Sequence, residues 1–126
     1  MEFNVLTATA IDLQDMLASP GGVDSKHLVK TYLAQIKLHN DYLKAVVGTA
    51  PESLLMERAS LLDDERKKGK IRSLLHGIPI LIKDNIATNS STGLDTTAGS
   101  LALVNSHPRE NAAIVDRVRN WCLTLC

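Results

Sequence analysis

The chain has 126 residues, 44% of them apolar, which suits one modest domain with its own core and argues against global disorder. Fourteen Lys and Arg balance fourteen Asp and Glu, so no net field draws the chain toward nucleic acid or an anionic membrane surface. Aromatic residues make up only 3%, and none are interleaved with basic ones, which removes base stacking as a binding mode.

In chain order, residues 1–4 carry no basic run, and no long apolar stretch comes before Asp12, so a secretory signal is not expected. Thr9-Ala10-Ile11-Asp12 has the spacing of a capping box and predicts a short helix through Leu13, Met16 and Leu17, stopped by Pro20-Gly21-Gly22. Asp24 or Ser25 then caps a second helix whose apolar stripe is Leu28, Val29, Tyr32, Leu33 and Ile36. Residues 45–49 (Ala-Val-Val-Gly-Thr) read as a short strand. Pro51 opens a third helix with Leu55, Ala59 and Leu62 on one face, ending in a solvated mixed-charge run closed by Gly69.

Residues 78–82 (Ile-Pro-Ile-Leu-Ile) are apolar without alternation, as in a strand covered on both faces within a parallel or mixed sheet. A polar surface loop over residues 89–93 and a short apolar piece over 101–104 come next. Pro108 is then read as starting a last helix with Ile114, Val115, Val118 and Trp121 on its inner side. Helices first, then strand and helix, predict an α/β fold. No run approaches membrane-spanning length, and a soluble cytoplasmic protein is expected.

The segment Leu75-His76-Gly77-Ile78-Pro79-Ile80-Leu81-Ile82-Lys83-Asp84-Asn85 delivers a lysine to the end of an apolar strand. Ligands bind at the carboxyl ends of strands in open α/β sheets. A lysine that works there as a base has to be brought from about 10.4 toward 7, which costs about 4–5 kcal/mol of burial and neighbouring dipoles. Taken alone, such a lysine reads as a plain surface residue.

The whole segment resembles the amidase-signature family, in which an H-G-[IV]-P-apolar-K-[DE] stretch carries the catalytic lysine. Thr96-Thr97-Ala98-Gly99-Ser100 and residues 112–119 are similar to the family's segments after that lysine, so the likeness covers residues 10–120 of a single partial domain spanning 1–126. The resemblance implies the amino-terminal part of an α/β/α sandwich with a mixed sheet, its helices preceding the first core strands. It also implies a hydrolase of small-molecule amides working through a Ser-cisSer-Lys triad. In that triad Lys83 acts on a bridging serine, which relays the proton of the nucleophilic serine. Asp84 and Asn85 either support the pocket or are ordinary turn residues.

No metal or other cofactor is implied, and His27, His39, His76 and His107 show no ligand spacing. The family's nucleophile lies in a Gly-Ser-Ser-Gly loop, and Ser90, Ser91 and Ser100 lack those glycines, so they read as structural and the chain alone is expected to be inactive. Residues 121–126, holding Cys122 and Cys126, depart from the pattern as a truncation would, and the cysteines read as incidental thiols. Two alternatives stand beside the hydrolase: the amidase subunit of a glutamine-dependent amidotransferase, and a non-catalytic remnant.

Overall fold

A computed structural model describes residues 3–121 and 123–124, so Cys122, Cys126 and the side chain of Trp121 lie outside the described residues. Within them, four helices carry most of the order: α1 (Ala10–Ala18), α2 (Ser25–Leu43), α3 (Glu52–Lys67) and α4 (Ala113–Trp121). Two short strands, β1 (Pro79–Ile80) and β2 (Leu123–Thr124), pair in parallel with Pro79 opposite Leu123. Single 3-10 turns span Ser90–Thr92 and Leu101–Leu103.

Local chemistry sets the helix starts. Thr9 and Asp12 form the expected reciprocal box: the Asp12 amide donates to the Thr9 hydroxyl at 3.2 Å, and the Thr9 amide to the Asp12 carboxylate at 2.8 Å. Asp24 caps α2 by accepting from the His27 amide at 2.7 Å. Along α2, Leu28 and Val29 are fully buried and Tyr32, Leu33 and Ile36 half-buried, while Leu55, Ala59 and Leu62 of α3 are buried opposite them. One core cluster joins Val29, Ala50, Leu55, Ala59, Leu62 and Leu94; a second joins Leu13, Leu17, Leu28 and Ile78, and Tyr32 packs against both. Each leucine, isoleucine or valine among these, fully buried, contributes about 1.5–3 kcal/mol.

A buried carboxylate joins these layers. Asp63 of α3 accepts from the Ser25 amide at 2.8 Å and, more weakly, from the Lys26 amide at 3.4 Å, so it satisfies orphan donors in the first turn of α2 from across the helix pair. Ser25 in turn abuts Gly77. That glycine has φ +81, and a Cβ there would stand 2.2 Å from the Ser25 hydroxyl, so both the backbone conformation and the space require glycine. Beside it, His76 is almost fully buried, its Nε2 donating to the Leu62 carbonyl at 2.8 Å and its Nδ1 accepting from the Arg72 amide at 3.3 Å. The guanidinium of Arg66 donates to the His76 carbonyl at 2.7 Å. The chain therefore enters β1 already fastened to α3.

Among the described residues the sheet has two strands. Three expectations are corrected. Residues 78–82 are not covered on both faces: only Pro79–Ile80 pair, and Leu81 is 60% exposed. Residues 45–49 form no strand, because the Asn40 side chain takes both backbone groups of Val46, donating to its carbonyl and accepting from its amide at 2.8 Å each. The last helix begins at Ala113 rather than at Pro108, and Ile114 faces out. Residues 108–112 are held instead to an earlier loop: Ala112 donates to the Ala87 carbonyl at 2.9 Å, and the Asn111 side chain accepts from the Asn89 amide at 2.7 Å.

Asp63→Ala is expected to cost about 1–3 kcal/mol by stranding buried amides at the start of α2, read as a lowered urea midpoint. Gly77→Ala is expected to cost at least as much, and adding Ser25→Gly should recover only the steric part, because the positive φ remains strained. Full recovery in the double variant would show that the backbone conformation carries no cost.

Candidate functional site

Lys83 stands three residues beyond β1 and lines a partly open cleft of about 910 Å³. Residues 45–49, 81–86 and 97–101 form much of its wall, so the site is made of loops that the helices hold in place. Lys83 and Asn85 are exposed, and among the described residues neither side chain has a hydrogen-bond partner. Val47, Leu81, Leu101 and Val104 add exposed apolar surface to the lining of the cleft.

Asp84 is arranged differently from its neighbours. The Ile86 amide donates to the Lys83 carbonyl at 2.9 Å, which makes Asp84 and Asn85 the centre of a tight turn. The Asp84 carboxylate then reaches across to a second turn. It accepts from the Thr97 amide at 2.8 Å, from the Thr97 hydroxyl, and from the Gly99 amide at 3.3 Å, while its own backbone carbonyl accepts from the Ala98 amide at 3.2 Å. The Thr97 hydroxyl, followed by the backbone amides, holds the Asp84 carboxyl below the usual carboxylate range. Both Asp84 carboxylate oxygens are thus engaged in joining the two turns.

The second turn has left-handed residues at both central positions, Ala98 at φ 49 and Gly99 at φ 78, closed by the Ser100 amide on the Thr97 carbonyl at 2.9 Å. A non-glycine residue with positive φ is uncommon and needs support, which here comes from the donors aimed at Asp84. Sequence reasoning does not single out Thr97 as part of the site. A threonine followed by a small residue and glycine, close after a candidate lysine, is the available signal.

The serines separate. Ser100 borders the same cleft as Lys83, whereas the Ser91 hydroxyl is occupied, donating to the Asn89 side chain at 2.6 Å and accepting from Arg119 at 3.0 Å. The described residues contain no cis peptide bond. They also contain no helix long and apolar enough to cross a membrane.

Comparison with known proteins places the chain. The family model described as Amidase matches residues 27–124. An Arabidopsis thaliana protein carrying the name Probable amidase is 38% identical over 119 residues, covering 93% of this chain and 22% of that protein. A glutamyl-tRNA(Gln) amidotransferase subunit of Caldanaerobacter subterraneus subsp. tengcongensis is 39% identical over 98 residues, covering 78% of this chain and 19% of that protein. The native peptide amidase of Stenotrophomonas maltophilia superposes with a TM-score of 0.83 at 34% identity, over 94% of this chain and 24% of that enzyme. The chain thus spans about a fifth of the length of the curated relatives it matches. Matched across most of its length by one family model, the chain belongs to the amidase family.

Proposed function

We propose that this chain carries the lysine-bearing segment of a site that hydrolyses carbon–nitrogen bonds in small amides, with Lys83 as the base of a Ser-cisSer-Lys triad. The observation that supports this most is the position of Lys83: just past β1, in a cleft, within the Leu75-to-Asn85 motif of an amidase-family chain. The lysine takes a proton relayed by a bridging serine, the nucleophilic serine attacks the amide carbonyl, and an acyl-enzyme is hydrolysed in the second half of the reaction. Backbone N–H groups stabilise the oxyanion, so no metal is required. Base work needs the ammonium shielded from water. The cleft is partly open, and walls built by further segments would provide that shielding. Those segments would also complete the mixed sheet on which β1 and β2 begin.

A second reading is favoured by the relatives named as glutamyl-tRNA(Gln) amidotransferase subunits, at 35–39% identity. On that reading the ammonia released from the amide passes to a partner protein and on to an acylated tRNA. Co-purification of such a partner with tRNA, and amide turnover stimulated by them, would favour it over a free-standing amidase.

In the product of the complete reading frame, Lys83→Met is expected to lower amide hydrolysis by at least ~10²–10⁴-fold, with the far-ultraviolet circular dichroism unchanged. Wild-type turnover in that variant would remove Lys83 from the mechanism. Residues 1–126 by themselves are expected to turn over neither aryl amides nor activated esters, because base, relay, nucleophile and oxyanion donors act as a unit. Stoichiometric fluorophosphonate labelling of one serine, lost in Lys83→Ala, would show instead that a working site is already assembled.

A further inference from the structure

Lys83 is an exposed residue in a segment that is fastened on both sides of it. Before it, Ile80 pairs with Thr124 in the parallel ladder. After it, residues 84–88 are laced to residues 94–99. Asp84 holds Thr97, Ala98 and Gly99, the Thr96 hydroxyl reaches the Ile86 carbonyl at 3.4 Å, and the Thr88 amide donates to the Thr96 hydroxyl at 3.0 Å. Within this lacing Thr97 is only 8% exposed, and its hydroxyl serves twice, donating to Asp84 and accepting from the Gly99 amide at 3.2 Å. The left-handed pair at Ala98 and Gly99 turns their amides toward Asp84.

We infer that Asp84 and Thr97 are positioning residues: they clamp the turn that begins at Lys83 to the turn at residues 97–100 and thereby aim the lysine side chain into the cleft. The inference rests on the amidase reading for its catalytic consequence, but the clamp itself is a property of this chain. Asp84 offers two oxygens to three donors on closely spaced residues, an arrangement that fixes the direction as well as the position of the backbone next to Lys83. A base displaced by about 1 Å from its proton partner loses on the order of 10²-fold in rate, so a support of this kind acts on turnover without touching substrate. The ordinary alternative is that the two residues only fold the loop. It predicts less folded protein, not slower turnover per folded molecule.

The test compares Asp84→Asn, Thr97→Val, Thr97→Ser and the double variant Asp84→Asn/Thr97→Val in the product of the complete reading frame, with active sites titrated. Asp84→Asn and Thr97→Val should lower kcat on the order of 10²-fold with KM little changed. Thr97→Ser, which keeps the hydroxyl, should turn over like wild type, and the double variant should be no slower than the slower single. Independent losses that multiply, an unchanged kcat in Asp84→Asn, or a Thr97→Ser as slow as Thr97→Val would overturn the assignment. In parallel, amide exchange and backbone relaxation are measured by nuclear magnetic resonance on the same full-length protein. Ala98 and Gly99 should lose protection, and Lys83 backbone order, in Asp84→Asn. If the wild-type protein hydrolyses no amide, the amidase reading fails by itself. An unaltered Lys83 amide in Asp84→Asn then decides separately against the clamp.

Discussion

The carboxylate of Asp63 lies buried between α2 and α3, where it meets the free amides at the start of α2. A negative charge at a helix amino terminus is favourable because the unpaired N–H groups and the aligned peptide dipoles both point at it. Here the charge comes from a neighbouring helix, so local capping and tertiary packing become one interaction. The consequences run outward in sequence. Ser25, held by Asp63, leaves room only for a glycine at residue 77, and the residues beside that glycine are gripped by α3 through Arg66 and the Leu62 carbonyl. From Gly77 the chain runs directly into β1 and on to Lys83. The helix pair therefore sets the origin of the segment that leads to Lys83.

Beyond that origin, order comes from side chains bonding to backbone. The cleft has little regular structure among its walls, and its loops are held by Asp84 on residues 97–99, Asn40 on Val46, and Asn111 on Asn89. Asp and Asn suit this work because a short side chain with fixed acceptors can replace a missing strand or helix partner. The cleft can thus be shaped without a complete sheet around it. Among the described residues the side chains of Lys83 and Asn85, which also line the cleft, remain unengaged. Asp84, between them, is engaged by Thr97 and Gly99. All three adjacent polar residues line the cleft, and one of them also holds the turn.

The departures from sequence expectation share a physical cause. Residues 45–49 have strand-forming valines, but Asn40, one helical turn from the end of α2, competes for the Val46 backbone and wins. Pro108 suits the first turn of a helix, yet Ala112 pairs with Ala87, and helical geometry begins only after that contact is made. Residues 78–82 are uniformly apolar, which sequence reasoning equates with cover on both faces. Leu81 is exposed instead, because cover depends on which other segments are present. In the first two cases the local propensity is real and a contact beyond the segment decides.

From its sequence alone this chain determined its helix starts, its core stripes and its kinship. The Thr9–Asp12 box and the Asp24 cap depend on residues three apart, and the stripes of α2 and α3 on a 3.6-residue period, so both can be read from neighbouring positions. The run from Leu75 to Asn85 marked Lys83 because a motif is local by nature. Only the tertiary structure decided that Asp63 caps a helix 38 residues away and that Asp84 serves the turn at Thr97, 13 residues on. Carboxylates have no periodicity and pair with whatever donors the fold brings within reach. Which ones hold the framework is settled by distance in space, and sequence separation does not encode it.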